Sequence, residues 1–251
     1  MFRDNVASAD STSESVWIFG YGSLIWRPNF EFKRSVSGYI KGWRRVWWQG
    51  STDHRGTPQS PGRTLTLAED PTAITWGIAY ELAGCLEQQQ ETLKYLEWRE
   101  KQYDVRLHVD VFALPVATIA EVQSGPTGPS SANLSSLADP AICVQPDSRE
   151  SSDMHTAQTS AGIKAEIVEN TNLVLSGCLL YLASPDTTKN VNYLGPAPLE
   201  DIARQIATSC GPSGRNCDYL FGLIEAMRKA SVNEDMEPET FLLETLVKAI
   251  I

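Results

Sequence analysis

One long segment differs in composition from the rest of this chain and limits how the chain can fold. From about residue 115 to 170, Ser, Pro, Gly, Thr and Ala dominate, a composition typical of segments that cannot bury enough apolar surface to fold. The flanking stretches, residues 105–114 and 173–183, are apolar and strand-like. We therefore predict one domain at residues 16–251, in which a flexible insertion at about 116–170 interrupts a hairpin of two neighbouring strands.

The predicted elements on either side of the insertion indicate an α+β fold. Short apolar or β-branched stretches bounded by Gly, Pro or Asp predict strands at residues 16–20, 38–49, 63–68 and 74–82. Helical spacing predicts a helix at 86–100 and three more at 199–209, 215–230 and 238–251, with Pro198 at the first helical position of the second. An order of strands, one helix, strands and then helices is typical of this class.

The charge and the N-terminal sequence exclude several kinds of partner. The formal net charge is −10 and no run of Lys and Arg forms a basic stripe, so we expect no nucleic-acid partner. Residues 1–15 mix acidic residues with Ser and Thr and lack the apolar core of a secretory signal, which predicts a disordered tail. No later segment is long and apolar enough to span a bilayer, so we expect no membrane partner either.

The cysteines favour reduced thiols over disulfides or a metal site. Cys85, Cys143, Cys178, Cys210 and Cys217 form no CxxC pair and have no His at ligand spacing, and their odd number leaves one unpaired. We therefore expect a cytosolic protein without a metal centre.

The first strand runs into the turn FGYGSL at residues 19–24, which holds two glycines. Glycines let the backbone turn tightly and let a ligand approach its amides, so this turn is a candidate carboxylate cradle. It is not a nucleotide-binding loop, because Ile25 stands where GxGxxG requires its third glycine and no GK[ST] follows. A purely structural turn remains the alternative.

A polar segment at residues 47–58 follows a strongly apolar strand and offers two arginines as anion ligands. Arg55, and Arg63 a few residues later, flank prolines and a glycine that make a rigid turn, from which a guanidinium can bind an anion in a bidentate fork. The alternative is that they pair only with Glu69 or Asp70. His54 lies in the same segment, but no G-x-S-x-G setting supports a His-based nucleophilic mechanism.

Glu100 is the candidate catalytic carboxylate. Helical spacing places it on the same face as Leu96 and directs Glu97, Arg99 and Lys101 elsewhere. The Glu100 carboxylate therefore lies toward the apolar side of its helix. The alternative, from these residues alone, is a solvated charge at the helix end that pairs with Arg99 or Lys101.

Six segments, in the same order along the chain, resemble the ChaC family. They are FGYGSLIW at 19–26, WWQGSTDHRGTP at 47–58, PGRTLTL at 61–67, YLEWREKQY at 95–103, NYLGPAPLEDIA at 192–203 and GPSGRNCDYLFGL at 211–223. The resemblance extends from about Trp17 to the C-terminus and leaves out the tail and most of the insertion. It departs from the family pattern in the insertion and at Gln102, where a glycine is usual.

The resemblance implies a γ-glutamylcyclotransferase-like mixed β-barrel with flanking helices, and the conversion of glutathione to 5-oxoproline and cysteinylglycine without a cofactor. It implies that Glu100, the Glu of the family's YLxxREK motif, is catalytic, which favours the catalytic interpretation over the solvated one. It also implies that the YGSL segment binds the γ-glutamyl part of the substrate. The predicted substrate-binding residues are Phe19, Gly20, Tyr21, Gly22, Ser23, Leu24, Arg55 and Arg63.

The implied reaction requires a base. The γ-glutamyl amine attacks its own side-chain carbonyl but is an ammonium at neutral pH, so we predict that Glu100 removes its proton and later protonates the departing cysteine nitrogen. The sequence does not decide which group donates a hydrogen bond to the oxyanion: the candidates are the turn amides, Ser23 and a nearby tyrosine.

Two other interpretations remain at this stage. The substrate can be another γ-glutamyl amino acid or amine, or the chain can be a non-catalytic regulatory protein that binds partners through its insertion. We expect a monomer.

Overall fold

The structure is a computed structural model that describes residues 15–113 and 173–251. The predicted flexible insertion lies outside the described residues, and so does the predicted N-terminal tail apart from Ser15.

Five strands close into a barrel, in the spatial order β1-β3-β2-β4-β5. The strands β1 and β5 are parallel where they meet, and the other pairs are antiparallel, so the barrel is mixed as predicted. The strands are β1 (Trp17–Gly20), β2 (Phe32–Ser51), β3 (Gly62–Leu82), β4 (Val105–Phe112) and β5 (Leu173–Leu182).

The strands on either side of the predicted insertion, β4 and β5, are antiparallel neighbours. Their antiparallel register extends from the pair Val105–Leu182 to the pair Phe112–Leu173. Because the strand ends are paired with each other, the chain leaves and re-enters the barrel at one place.

The long strand β3 corrects the prediction of two separate strands at residues 63–68 and 74–82. Residues 70–73 lie opposite Gly42 of β2, between the pairs Trp43–Glu69 and Lys41–Ile74. Gly42 has a φ of +81°, a conformation that glycine adopts without strain. Residues 70–73, which are turn-forming types, therefore form a bulge, and the strand β3 continues on both sides of it.

Four α-helices and a short two-stranded sheet flank the barrel in the part of the chain that the structure describes. The helices are α1 (Leu86–Arg99), α2 (Leu199–Thr208), α3 (Asn216–Lys229) and α4 (Pro238–Lys248); the small sheet pairs β6 (Cys210–Gly211) with β7 (Gly214–Arg215). Pro198 is the N-cap of α2, one position before the one predicted. No helix within the described ranges is long and apolar enough to cross a membrane.

Two apolar clusters form the core. The larger one joins the barrel interior to α2, α3 and α4. The smaller one, around Ile18, Leu24, Leu82, Leu96 and Tyr181, packs α1 against the barrel. Burying a leucine side chain of this kind stabilises the fold by about 1.5–3 kcal/mol. Since Leu96 is fully buried, this cluster fixes the end of α1, where the candidate catalytic residue lies.

Candidate active site

The turn after β1 folds back over the barrel end. Residues 23–25 form a single 3-10 turn, in which the Ile25 amide donates to the Gly22 carbonyl over 3.0 Å. A Cβ on Gly20 would lie 2.6 Å from the Leu24 Cβ, and a Cβ on Gly22 would lie 3.0 Å from the Tyr219 hydroxyl. A side chain at Gly20 would therefore collide with Leu24, and one at Gly22 would be tightly packed against the Tyr219 hydroxyl.

Glu100 caps the C-terminal end of α1. Its amide donates to the Leu96 carbonyl over 2.7 Å, and its side chain is 14% exposed. Arg99 Nε lies 3.2 Å from Glu100 Oε1. Burial raises the pKa of Glu100, and the Arg99 charge opposes that rise without cancelling it. A carboxyl group with a raised pKa at a pocket is suited to taking up and returning a proton.

An inner pocket of about 30 Å³ lies between the turn and Glu100. It is lined by Phe19, Tyr21, Gly22, Ser23, Leu24, Glu100, Tyr103, Tyr181 and Tyr219. The structure thus brings Glu100 together with five of the six predicted residues of the turn. Gly20 does not line this pocket, and its role is to let the turn close.

Three of the four tyrosines that line this pocket, Tyr21, Tyr103 and Tyr219, bear on the chemistry at Glu100. The Tyr21 hydroxyl donates to the Tyr181 carbonyl over 3.0 Å, and the Tyr103 hydroxyl donates to the Leu65 carbonyl over 2.9 Å. Burial raises the pKa of Tyr21, Tyr103 and Tyr219, and the nearby Glu100 carboxylate raises each further. All three phenols are therefore neutral hydrogen-bond donors at physiological pH.

A larger outer cavity of about 270 Å³ opens beside the inner pocket and shares four of its residues, including Glu100. Its charged side chains are four bases and one acid: Arg27, Arg55, Arg99, Lys101 and Glu100. The cavity is thus basic in a chain whose net charge is −10. Its other lining residues are Ser23, Asn29, Ser51, His54, Thr64, Tyr95, Trp98, Gln102, Tyr103, Ser213 and Tyr219.

The loop after β2 is fastened to the turn that follows Glu100. Asp53 accepts a hydrogen bond from Gln102 Nε2 at 2.7 Å and forms an ion pair with Lys101 Nζ at 3.0 Å. The same loop carries Arg55, whose amide donates to Ser51 Oγ over 3.0 Å. Gln102, which departs from the usual glycine, thus helps to hold the loop beside the cavity.

Arg63 lies apart from both cavities. Its guanidinium donates to the Trp47 and Gly195 carbonyls, both at 2.9 Å, and to Gln205 Oε1 at 2.7 Å. These bonds join β3 to the segment before α2 and to α2 itself. The structure therefore does not bring Arg63 to the other predicted site residues.

His54 lies at the exposed rim of the outer cavity. Its Nδ1 is 3.1 Å from Ser213 Oγ. Ser23 Oγ accepts from Arg99 at 3.0 Å, and Ser51 Oγ accepts from the Arg55 amide, so neither of these serines pairs with His54. Among the described residues, no group of three or more His, Cys, Asp or Glu side chains is arranged to hold a metal ion.

Several cavity residues were not predicted from the sequence, namely Arg27, Tyr103 and Tyr219. Arg99 and Lys101 were expected to point away from Glu100, but both line the outer cavity. For Lys101 the reason is that α1 ends at Arg99, so helical spacing no longer applies beyond it. Arg99 is still helical, and its guanidinium reaches back to Glu100 and to Ser23. Tyr103 and Tyr219 do lie in two of the quoted motifs, which was the one available signal.

A family model described as ChaC-like protein matches residues 16–250 of this chain. The chain belongs to the ChaC-like family. The predicted resemblance is thereby confirmed over nearly the whole sequence, including segments on both sides of the insertion.

Curated relatives of this ChaC-like chain come from plants and animals. Gamma-glutamylcyclotransferase 2-3 of Arabidopsis thaliana is 40% identical over 213 residues, which cover 85% of this chain and 80% of the relative. Glutathione-specific gamma-glutamylcyclotransferase 1 of Danio rerio is 37% identical over 237 residues, covering 94% and 91%. The protein of that name from Homo sapiens is 35% identical over 222 residues, covering 87% and 72%.

A solved structure shares the fold of this ChaC-like chain. The crystal structure of a gamma-glutamyl cyclotransferase specific to glutathione from yeast superposes with a TM-score of 0.63 at 23% identity, covering 94% of this chain and 96% of that one. The predicted γ-glutamylcyclotransferase-like mixed barrel is therefore confirmed.

Proposed function

We propose that this chain is a glutathione-specific γ-glutamylcyclotransferase that converts glutathione to 5-oxoproline and cysteinylglycine. The observation that carries the proposal is the position of Glu100, a largely buried carboxylate shared by a small inner pocket and a basic outer cavity. The printed names of the relatives from Danio rerio and Homo sapiens support the same activity.

The inner pocket holds the γ-glutamyl group. Phe19, Tyr21, Gly22, Ser23 and Leu24 surround it, with the turn amides available for the α-carboxylate. Ring closure is intramolecular, so the main task of the site is to keep the chain of the substrate folded, with its amine beside its own side-chain carbonyl.

Glu100 acts as base and then as acid. Its carboxylate removes a proton from the α-ammonium, the freed amine attacks the γ-carbonyl carbon, and the C–N bond to cysteine breaks. Glu100 passes this proton to the departing cysteine nitrogen. The attacking nitrogen gives up its second proton as the lactam forms, and this proton is relayed by the same carboxylate to the cysteine amine, which leaves as an ammonium, so Glu100 ends the cycle as it began. The raised pKa of Glu100 suits both steps, because a pKa closer to neutral pH lets the carboxyl both take up and release a proton.

Tyr219 is the proposed oxyanion donor. Its hydroxyl lies against Gly22 in the inner pocket. Tyr21 and Tyr103 already donate to backbone carbonyls, whereas within the described residues the Tyr219 hydroxyl donates to none. Its proton is thus free for the oxygen that becomes negative when the amine attacks.

The outer cavity favours glutathione over neutral γ-glutamylamines. Glutathione carries two carboxylates, of which the inner pocket takes one. The other belongs to the cysteinylglycine part and extends toward a cavity with four basic side chains and one acidic side chain. A γ-glutamylamine has no second carboxylate and gains nothing from this charge.

We further propose that the enzyme works without a cofactor, as a monomer in the cytosol. The reaction is a ring closure without change of oxidation state, so it calls for no cofactor. Cys85, Cys178, Cys210 and Cys217 are free thiols, in line with a reducing cytosol. We place the enzyme there as a monomeric single domain, interrupted by the insertion and without nucleic-acid or membrane partners.

The decisive test measures the reaction products from two substrates. The purified chain is incubated with glutathione or with γ-glutamyl-alanine, without metal or nucleotide, and 5-oxoproline and cysteinylglycine are quantified by mass spectrometry. We expect equimolar products from glutathione alone. Product from γ-glutamyl-alanine would favour the broader substrate class, and no product from either would favour a non-catalytic binding protein.

A matched pair of variants tests the role of Glu100. Glu100→Gln keeps the shape and loses the basicity, so turnover is abolished while glutathione still binds, as measured by calorimetry. Glu97→Gln is the control on the same helix, since Glu97 is 52% exposed and forms an ion pair with Arg106 on the surface. Near-normal activity of Glu100→Gln would refute the assignment.

A further inference from the structure

Arg27 is an exposed cation that lines the outer cavity. It follows the turn that lines the inner pocket, and its amide donates to the Ser23 carbonyl over 2.8 Å, which fixes where its side chain starts. Throughout residues 15–113 and 173–251 it forms no ion pair and no side-chain hydrogen bond, whereas Arg99 pairs with Glu100 and Lys101 pairs with Asp53.

Arg55 is the second cation in this cavity that lacks a bonded carboxylate. It is a largely buried residue, and its guanidinium donates to the Arg215 carbonyl over 3.1 Å. Burial lowers the pKa of Arg55, repulsion from Arg27 lowers it further, and the nearby Asp218 partly offsets these effects. Asp218 forms no ion pair within 4.0 Å among the described residues. Arg27 and Arg55 thus face one cavity and repel each other.

Two guanidinium groups that line the same cavity offer a site for an anion. Each presents a planar fork of N–H donors that matches a carboxylate, and an anion between them removes their mutual repulsion. The cavity already contains one carboxylate, Glu100, but this is held by Arg99 at 3.2 Å and is needed as the base. The anion must therefore come with the substrate.

We propose that Arg27 and Arg55 bind the glycine carboxylate of glutathione, and that Arg27 is a specificity-determining residue for this substrate. The inference rests on the proposed function, which puts the γ-glutamyl group in the inner pocket and the scissile amide at Glu100. The cysteinylglycine part then extends into the outer cavity, where both arginines lie. Substrates without a distal carboxylate leave the two cations unpaired and bind weakly.

The test compares glutathione with its glycinamide analogue, in which an amide replaces the distal carboxylate. Steady-state kinetics are measured for the wild type, Arg27→Ala, Arg27→Gln and Arg27→Lys. A charge-assisted hydrogen bond corresponds to roughly a 10-fold to 100-fold change in binding. We therefore expect Arg27→Ala to raise the KM for glutathione by about 10-fold or more, with kcat within about twofold.

The analogue isolates the distal carboxylate. For the wild type we expect its KM to be raised by a similar factor, roughly 10-fold, and Arg27→Ala to change that KM little, because the partner of the arginine is already missing. Arg27→Gln, which keeps most of the aliphatic stem, must behave like Arg27→Ala, and Arg27→Lys must restore part of the affinity. Arg204→Ala is the control, because Arg204 is an exposed arginine on α2 that pairs with Asp201.

The outcomes separate this inference from the proposed function. If the wild type does not cleave glutathione, the proposed function fails and the inference fails with it. If the wild type cleaves glutathione and the Arg27 variants keep its KM, or raise the KM for glutathione and the analogue equally, the inference alone is overturned.

Discussion

Arg99 and Glu100 are adjacent in sequence, and their side chains form an ion pair, with Arg99 Nε 3.2 Å from Glu100 Oε1. The same guanidinium donates to Ser23 Oγ at 3.0 Å and to the Pro28 carbonyl at 2.7 Å. Arg99 therefore ties the end of α1 to the turn after β1 and orients the carboxylate between them.

Removing the charge of Arg99 should shift the pH dependence of catalysis. Arg99 lowers the pKa of Glu100 against the effect of burial, so Arg99→Met raises that pKa further. Since the base must be ionised, the acidic limb of the profile of kcat/KM against pH moves to higher pH, by about one unit for each 1.4 kcal/mol of interaction lost. Arg204→Ala is the control. If the acidic limb of the Arg99→Met profile does not shift, the ion pair does not set the pKa of Glu100.

The raised pKa of Glu100 predicts a stability cost at neutral pH. The folded state binds the proton of Glu100 more tightly than the unfolded state, so stability falls as pH rises through the unfolded and then the folded pKa. Glu100→Gln should therefore raise the Tm at pH 7, by roughly 2–4 °C for each kcal/mol recovered. This gain should disappear below the unfolded pKa. Glu97→Gln serves as the exposed control, and a gain independent of pH would contradict the assigned cause.

Tyr219→Phe tests the proposed oxyanion donor. The change removes one hydroxyl from the inner pocket and keeps the ring, which packs edge-on against Trp26 and Trp47. Loss of one such donor lowers kcat by about 100-fold or more in comparable sites, with little change in KM. Tyr103→Phe is the matched control, because its hydroxyl already donates to the Leu65 carbonyl. Equal effects of the two changes on kcat would argue against a special role for Tyr219.

Gln102→Gly restores the usual family residue and should loosen the loop that carries Arg55. The bond from Gln102 Nε2 to Asp53 Oδ1 is lost, while the ion pair of Asp53 with Lys101 remains. We expect the KM for glutathione to rise by about twofold to fivefold, consistent with roughly 0.5–1 kcal/mol for one such bond. Amide hydrogen exchange in residues 51–57 should become faster. Unchanged exchange would show that the loop is held by other contacts.

Much of the site followed from local sequence signals. The turn at residues 19–24 was predicted from its glycines, and the structure shows why: a side chain at Gly20 would collide with Leu24, and one at Gly22 would be tightly packed against the Tyr219 hydroxyl. The end of α1 near Glu100 was predicted from helical spacing. The role of Arg63 was not foreseen, because its acceptors at Trp47, Gly195 and Gln205 are up to 142 residues away in sequence.

Most of the helices and strands, the pairing of β4 with β5 and the motifs could be predicted from the sequence, since they depend on the periodicity of apolar residues and on turn chemistry within short segments. The tertiary fold is what places Arg27 and Arg55 at one cavity, Tyr219 at the inner pocket, and Glu100 in a buried position beside Arg99. Closure of the barrel brings these segments together, and no local pattern encodes the distance between residues that are far apart in the chain. The burial of Glu100 and the basic charge around it therefore arise only when the barrel closes.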